Sequence, residues 1–389
     1  MNKRRFLQAL SLPLWNTNLP VAWAQPAMPD APSVSRFYAQ LVHANYEDVL
    51  AAGLALQQSI QVFIASPEAA GLDAARQAWL MARDGYGQTE AFRFYGGPID
   101  DDKGPEGRLN AWPLDEGYID GVKGRPHSGL INQRAVPISK ASLTRLNERD
   151  GEENIAAGWH AIEFLLWGQD LRADGAGQRS FEDFVNGKAP NADRRRQYLL
   201  TVTDLLNDDL RTLVAAWAPD RRNYRHAFER GGMESVRKII VGLGSLSRGE
   251  LAGERMEVAL NTQDQEDEHS CFSDNTHRDI VNNALGIENV WLGRYTRRDG
   301  SVLQGPASLR ALVATKDPAL ADKVSQQISL SVQKARAITP PFDREIIGGK
   351  DAPGRQRVQA VIDSLVQQSK DLVDAANALG ITRLTLVKP

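Results

Sequence analysis

Apolar residues recur every three or four positions through most of the chain, which is the spacing of one face of an α-helix. Residues 35–64 show it first, with Phe37, Leu41, Val49, Leu50, Leu54, Leu56, Ile60, Val62 and Phe63. The same spacing predicts further helices over 68–94, 139–168, 193–217, 232–248, 274–295, 305–314, 317–338 and 354–378. Because no segment alternates apolar and polar residues with the period of two expected of a strand, we predict an all-α fold built from helical bundles.

Residues 97–137 interrupt the helical pattern with five prolines and several glycines, and predict a long loop. Ordered loops of this length are often functional. Pro219 and the Gly231–Gly232 pair mark a second break, so we predict two helical-bundle halves, 25–218 and 219–389. A weak similarity between 78–94 and 328–342, each a helix that runs into an irregular segment, suggests an internal duplication.

The N-terminus has the three parts of a cleaved signal peptide. A cationic Lys3-Arg4-Arg5 precedes a short apolar run over 6–15, and Ala22-Trp23-Ala24 is a small-residue cleavage signal. We therefore predict that residues 1–24 are removed and that the protein is periplasmic, exported by the Sec or the twin-arginine route. About ten apolar residues are too few to span a bilayer, so we expect no transmembrane anchor.

The composition is that of an ordinary soluble protein, with 42% hydrophobic and 24% charged residues in 389. The formal net charge is −3 and becomes −6 once the three cations of the signal peptide are gone. Such a balance argues against a nucleic-acid or anionic-membrane partner, which would need a basic surface. Cys271 is the sole cysteine, so no internal disulfide can form and stability must come from the core.

The most informative segment is Gly158-Trp159-His160-Ala161-Ile162-Glu163, a Gly-x-His-x-x-Glu pattern inside a predicted helix. A separation of three residues puts His160 and Glu163 on the same helical face. The strongly apolar residues 164–167 follow, which indicates a buried location. Two readings remain open: a metal or catalytic site, or a buried His–Glu pair that satisfies itself.

A second candidate segment, residues 265–277, holds two histidines and four carboxylates. Glu266 and His269 are three residues apart, and so are Asp274 and His277, a spacing by which helical-bundle proteins present metal ligands. Imidazole and carboxylate together suit hard or borderline metal ions. The alternative is a solvated acidic turn in which Ser273 or Asp274 caps the following helix.

The third candidate is the stretch 112–120 of the long loop, which combines apolar anchors with three carboxylates. If Trp112, Leu114 and Tyr118 pin this stretch to the core, Asp115 or Glu116 could lie over a site between the two halves. A structured loop with solvated acids explains the same pattern.

Several well-defined chemistries have no motif in this sequence. It contains no His-Glu-x-x-His zinc motif, no Gly-x-Ser-x-Gly nucleophile elbow, no Gly-rich phosphate loop and no Cys-x-x-Cys-His haem attachment. A catalytic zinc typically needs three protein ligands and one open position, and His160 with Glu163 supplies two.

The three candidate segments together resemble the imelysin-like family, in its iron-regulated protein A-like subgroup. The resemblance is carried by three segments in the expected order along the chain: 112–120, 157–168 and 269–277. It extends over essentially the whole mature chain. It implies a two-domain helical fold with a site between the halves, in an exported bacterial protein linked to iron uptake. His160 and Glu163 correspond to the signature pair, read in the family as metal-binding. The matching positions of undefined role are Asp115, Glu116, His269, Ser273, Asp274 and His277.

Three functional hypotheses follow. The first is a periplasmic protein that binds iron, or an iron-bearing ligand, through His160, Glu163 and loop carboxylates. The second is a metallopeptidase that holds zinc through His160 and Glu163, as the peptidase name of the family implies; zinc is the less expected metal. The third is a non-enzymatic partner of envelope iron- or haem-uptake proteins, whose cleft binds a peptide or haem.

Overall fold

The computed structural model describes residues 28–386, and the predicted signal peptide 1–24 lies outside the described residues. Helices dominate this range, as predicted. In chain order they are α1 (Ala31–Ala65), α2 (Ala69–Thr89), α3 (Glu106–Leu109), α4 (Glu116–Ile119), α5 (Lys140–Leu146), α6 (Gly158–Trp167), α7 (Ala192–Trp217), α8 (Tyr224–Glu229), α9 (Met233–Ser245), α10 (Val258–Thr262), α11 (Thr276–Leu292), α12 (Leu309–Ala314), α13 (Pro318–Ala335), α14 (Asp343–Ile346) and α15 (Pro353–Ala378).

Shorter elements complete this part of the chain. Single 3₁₀ turns lie at Glu90–Phe92, Phe181–Phe184 and Gln265–Asp267, and a π-helical segment, Leu246–Glu257, joins α9 to α10. The strands β1 (Arg294–Thr296) and β2 (Val302–Gln304) form an antiparallel hairpin in which Tyr295 pairs with Leu303. This hairpin falls where the sequence predicted no strand, because three residues per strand are too few to show a period of two.

Two groups of helices build the molecule. In the first, α1 packs lengthwise against α2 and α7, and the short α6 packs against α2 and α7. In the second, α15 packs against α9, the π-helical segment and α13, which in turn packs against α11. The groups meet where α2 contacts α11, and one continuous hydrophobic core runs through both.

The closest approach of α2 and α11 depends on glycine. A Cβ on Gly286 would lie 2.3 Å from the carbonyl oxygen of Gln88, and a Cβ on Gly87 would lie 2.9 Å from the Cβ of Asn282. Because these glycines let the two helices approach closely, polar side chains on the facing turns can bond directly from one helix group to the other.

Helix α1 also meets a length and composition test for a membrane span, with a mean hydropathy of 1.3 over 18 residues. Its 35 residues include Tyr38, Tyr46, Leu56 and Phe63, all buried against neighbouring helices. The core helix of a folded domain meets the same test, and the contacts of α1 with α2 and α7 are those of such a helix.

The predicted helix 139–168 is two helices, α5 and α6, separated by eleven residues. Helix α6 begins at Gly158, whose φ of +91° is strained for any residue with a Cβ. A Cβ there would lie 2.5 Å from the carbonyl oxygen of Leu109, so the N-terminus of α6 is fixed against the end of α3. All ten residues of α6 are buried, so the helix carries its polar residues into the interior.

Candidate functional site

A buried cluster of charged and polar side chains lies where α2, α6 and α11 meet. Its centre is Arg83 of α2, which donates two hydrogen bonds to Asp279 of α11, at 3.1 Å from Nε to Oδ1 and 3.0 Å from Nη2 to Oδ2. Both side chains are almost completely buried. Arg83 Nη1 also donates to Asn110 Oδ1 at 2.5 Å. This ion pair therefore ties the two helix groups together across their interface.

His160 and Glu163, the pair at the centre of the Gly-x-His-x-x-Glu pattern, lie on one side of Arg83. His160 Nδ1 is 2.9 Å from Glu163 Oε2, and His160 Nε2 is 3.5 Å from Arg83 Nη2. When Glu163 is ionised, Nε2 faces the guanidinium as an acceptor and Nδ1 donates to Glu163; when Glu163 holds a proton, its hydroxyl donates to Nδ1 instead. The other carboxylate oxygen, Oε1, accepts from the backbone N–H and the hydroxyl of Ser273, at 2.9 and 2.6 Å.

His269 lies on the other side of Arg83, with its ring centroid 4.7 Å from that of His160. Its Nδ1 donates to Asp279 Oδ2 at 2.8 Å, and Ser270 Oγ donates to the same oxygen at 2.7 Å. Asp279 therefore holds Arg83, His269 and Ser270 together, and the loop over 268–275 is fixed to α11 through it.

Burial determines the protonation of this cluster. It lowers the pKa of His160 well below its ordinary value, with a further contribution from Arg83, and it lowers the pKa of His269 to about 4. It raises the pKa of Glu163 to about 8. Burial also opposes ionisation of Asp279, but Arg83 and His269 outweigh it, and the pKa of Asp279 lies well below its usual range. Both histidines are therefore neutral at pH 7, and Arg83 with Asp279 supplies the fixed charges.

A second buried network adjoins the first through Asn110. Glu90 Oε2 accepts from Arg93 Nη1 and from Arg255 Nη2, each at 2.7 Å. Although burial opposes its ionisation, the two arginines lower the pKa of Glu90 to about 2. Arg255 Nη2 also donates to Glu250 at 2.8 Å, and both residues come from the π-helical segment. Such segments are rare and occur frequently at functional sites.

Both networks border one cleft with a volume of about 540 Å³. Its walls include Asn110, Trp112 and His269, whose ring lies 5.9 Å from that of Trp112. Five glutamates and two arginines also line it: Glu106, Glu148, Glu152, Glu250, Glu254, Arg93 and Arg255. The arginines pair with Glu90, Glu106 and Glu250. In the described part of the chain, the other three glutamates of the cleft form no ion pair, so the cleft is acidic.

The structure brings four of the eight predicted site residues together: His160, Glu163, His269 and Ser273. The other four lie elsewhere. Asp115 caps α4 through Gly117 and pairs with Arg125 at 3.0 Å. Glu116 accepts from Gln169, and the His277 ring contacts the carbonyl of Asp274. Burial, with a further contribution from Asp170 and Asp343, raises the pKa of Asp274 to about 7.

Arg83, Asp279, Glu90 and Arg255 were missed by the sequence analysis. For Arg83 a signal existed, because Trp79, Ala82 and Tyr86 place it on the apolar face of α2, where a charged residue needs a buried partner. Asp279 likewise precedes Ile280 on the buried side of α11. No signal in the sequence indicates that Arg255 lies on a π-helical turn.

The geometry allows a direct test of whether His160 and Glu163 fit a resident metal ion. Nε2 of His160 faces the Arg83 guanidinium, and both oxygens of Glu163 are already engaged in hydrogen bonds. Within residues 28–386, no three His, Cys, Asp or Glu side chains converge as a finished metal site. A metal on His160 would require Arg83 to leave Asp279, so the pair as it stands does not fit one. That the pair binds a metal remains a prediction.

These features define a class: an all-α protein of two packed helix groups, with a buried charged cluster at their interface and an acidic cleft leading to it. The chain belongs to the imelysin family (peptidase family M75), which it matches over residues 42–372. The resemblance that the sequence motifs indicated is therefore confirmed.

Two relatives extend this comparison. Iron-regulated protein A of Synechococcus elongatus is 30% identical over 356 residues, covering 88% of this chain and 86% of that protein. The crystal structure of a protein from Parabacteroides distasonis, described as an iron-regulated protein A precursor, superimposes with a TM-score of 0.69. It is 20% identical, and the match covers 91% of this chain and 97% of that one. That likeness supports the fold, which confirms the predicted all-α class.

Proposed function

We propose that this protein is exported and binds iron ions for uptake in the acidic cleft between the Trp112 loop and the π-helical segment. Iron is cargo in this proposal rather than a cofactor. The two relatives named for regulation by iron support an iron-related role. The observation that carries the choice of ligand is the excess of carboxylates in the cleft.

The charge of the cleft favours a bare or hydrated iron ion over an anionic iron chelate. Arg93 and Arg255 are the cations that line it, and both already pair with carboxylates. Glu148, Glu152 and Glu254 are left to attract a cation, and carboxylate oxygens with an imidazole suit iron. An anionic chelate entering the same cleft would meet like charge on most of its wall.

His269 supplies the imidazole of the cleft. Its Nδ1 proton is held by Asp279, so its Nε2 carries the lone pair; Arg83 Nη2 lies 3.5 Å from that nitrogen and must shift for iron to bind there. The His160–Glu163 pair and Arg83 position this ring from behind, through the His160 contact and through Asp279. In this arrangement the signature pair acts as a support for the binding group rather than as the ligand set.

Iron titration with the intrinsic fluorescence of Trp112 and the other tryptophans tests this proposal. We expect ferrous or ferric iron to quench the mature wild-type protein saturably, and the variant E148Q/E152Q/E254Q to bind at least tenfold more weakly. The variant E68Q/D351N/D363N removes three exposed carboxylates that do not line the cleft, and should bind like the wild type.

The result that would overturn the proposal is a folded wild-type protein that iron does not quench or stabilise. Equal losses in the cleft variant and in its control would mean that only net charge matters. Export is tested separately, by N-terminal sequencing of the protein from the periplasm, which should begin at Gln25.

A further inference from the structure

A second cavity, with a volume of about 420 Å³, lies at the C-terminal end of α6 and shares no lining residue with the acidic cleft. Three cations, Lys123, Arg172 and Arg179, and one carboxylate, Asp183, line it. The cavity therefore has the opposite sign of charge from the cleft, in a protein whose formal net charge is −3. Its volume is within the range of small-molecule sites.

Arg179 carries unpaired donors, although its side chain is only 8% exposed. Its Nη1 donates to Asp120 at 3.0 Å and to Asp183 at 3.3 Å. Its Nε is buried and has no hydrogen-bond partner, and within residues 28–386 its Nη2 donates to no group either. Because buried polar atoms in folded proteins are nearly always paired, these two nitrogens indicate a missing acceptor.

The two unpaired nitrogens form one edge of the guanidinium. Nε and Nη2 point the same way and together bind both oxygens of a single carboxylate. Three other arginines of this chain use that edge, each with one carboxylate: Arg83 with Asp279, Arg108 with Asp209, and Arg195 with Asp120. Arg179 keeps the same edge unpaired because it reaches both of its own carboxylates through Nη1.

Gly168 keeps a side chain away from this edge. Its φ of +74° favours glycine, and a Cβ there would lie 3.6 Å from Arg179 Nε, in van der Waals contact. The backbone N–H of Arg179 donates to the carbonyl of Trp167 at 2.7 Å, which fixes this segment to the end of α6. Both Gly168 and Arg179 line the cavity, so a ligand approaches the guanidinium edge past bare backbone.

The other walls supply a second positive charge and an apolar surface. Lys123 is exposed and forms no ion pair among the described residues, whereas Arg172 is engaged with Asp174 at 2.8 and 3.0 Å. Leu171, which is 60% exposed, and Trp167 give the cavity its apolar part. Ligand sites commonly combine such walls with a few polar groups that fix the orientation of the ligand.

We propose that this cavity binds a small organic carboxylate. The two carboxylate oxygens accept from Nε and Nη2 of Arg179, Lys123 adds a positive charge, and the apolar part of the ligand packs on Leu171. Asp183 also lines the cavity and repels further negative charge, which favours a monocarboxylate over a phosphate dianion. The proposal stands on this cavity and does not depend on iron binding in the cleft.

Isothermal titration calorimetry of the mature wild-type protein tests the proposal. We expect saturable binding of N-acetyl-leucine, and binding of N-acetyl-leucinamide and of inorganic phosphate that is at least tenfold weaker. The carboxylate belongs either to a free acid or to the last residue of a peptide. Comparison of N-acetyl-leucine with the tetrapeptide alanyl-alanyl-alanyl-leucine distinguishes these sources, since the tighter of the two identifies the natural one.

Arg179→Lys keeps the charge beside Asp120 but cannot offer two parallel donors, so it should bind N-acetyl-leucine at least tenfold more weakly. If that variant does not fold, Lys123→Glu and Leu171→Asp decide. Each places a negative charge at an exposed position of the cavity wall and should weaken binding at least fivefold.

Matched controls make the same changes away from the cavity. Lys316→Glu and Leu330→Asp alter exposed residues that do not line it, and both should bind N-acetyl-leucine like the wild type. The cleft variant E148Q/E152Q/E254Q should lose iron and keep N-acetyl-leucine, and Lys123→Glu should do the reverse. The two proposals can therefore fail separately.

Any of three results would overturn the proposal. One is a folded wild type that binds neither N-acetyl-leucine nor the tetrapeptide. Another is N-acetyl-leucinamide or inorganic phosphate that binds as tightly as N-acetyl-leucine. The third is an affinity that stays unchanged in folded Lys123→Glu and Leu171→Asp.

Discussion

At the scale of single residues, a buried charge determines how the site is built. Arg83 is 1% exposed and its guanidinium bonds to groups from α11, the long loop and both histidines. A lone guanidinium at this depth would be unstable, and so would Asp279 without it. Each is therefore tolerated because of the other, and the pair fixes where His160 and His269 point.

Replacing one partner of the Arg83–Asp279 pair should lower the free energy of unfolding far more than replacing both. We expect Arg83→Met to lower the free energy of unfolding by about 3–5 kcal/mol, because Asp279 is left buried and uncompensated. In Arg83→Met/Asp279→Leu, part of that loss should be recovered. Urea unfolding of the wild type, both single variants and the double variant measures the coupling directly. Additive losses would contradict the mutual dependence of the pair.

Glu163 should make stability depend on pH. The pKa of Glu163 is about 8 in the folded protein, against 4.5 for an exposed glutamate, so the folded state holds a proton that the unfolded state has lost. This contribution is complete below pH 4.5 and disappears as pH rises through 8. Burial lowers the pKa of both histidines, which opposes this trend only below pH 6.5.

Between pH 6.5 and 8 the wild type should therefore lose stability as pH rises, and Glu163→Gln should lose less. The difference in slope should approach about 1 kcal/mol per pH unit. Glu266 and Asp274, whose carboxyl groups also have a pKa of about 7, should leave a smaller slope in the variant. Denaturant unfolding at several pH values measures this difference in slope. Parallel curves for the wild type and Glu163→Gln would refute the assignment of the slope to Glu163.

At the scale of elements, helical spacing predicted most of the helices but not how they begin or deform. The predicted 193–217 and 354–378 agree closely with α7 and α15. The predicted 139–168 is interrupted, because Gly158 must adopt a positive φ against Leu109, a contact between residues 49 positions apart. The predicted 232–248 continues as a π-helical segment and α10, past glycines that indicate an end.

The same contrast holds for the candidate site. Local spacing found His160 with Glu163 and also singled out His269, and Ser273 was considered as a helix cap; the family resemblance matched all four. Local spacing could not find the Arg83–Asp279 pair, because these two residues are 196 positions apart and meet only where α2 packs on α11. Asp115 and Glu116 bond to Gly117, Arg125 and Gln169 rather than to the buried cluster, and a loop motif does not show in which direction its acidic side chains point.

Gly158→Ala tests the start of α6. A Cβ costs about 1 kcal/mol at this φ and about 1–3 kcal/mol more for the contact with Leu109. Gly187→Ala is the matched control, since its φ is +82° but a Cβ there meets nothing within 4 Å. Thermal unfolding should therefore show a small loss for Gly187→Ala and a larger one for Gly158→Ala. Equal losses would mean that the Leu109 contact does not fix α6.

At the scale of the whole molecule, the interface between the helix groups is unusually well bonded. Besides Arg83 with Asp279, Asn282 of α11 donates to Asp84 of α2 at 2.7 Å, and Asn283 donates to the carbonyl of Gly87 at 2.9 Å. Arg255 with Glu90 adds a second buried ion pair. The predicted boundary near residue 218 therefore separates segments of sequence whose buried polar groups depend on each other.

We expect the mature protein to unfold in one cooperative transition. If either half opened alone, it would expose Arg83 or Asp279 without its partner and cut through the continuous core. Calorimetry should give equal calorimetric and van't Hoff enthalpies, and far-UV circular dichroism and tryptophan fluorescence should give the same midpoint. Residues 25–218 and 219–389 expressed separately should each fail to fold. Two resolved transitions, or a stably folded half, would show that the halves are independent domains and that the site forms only when they dock.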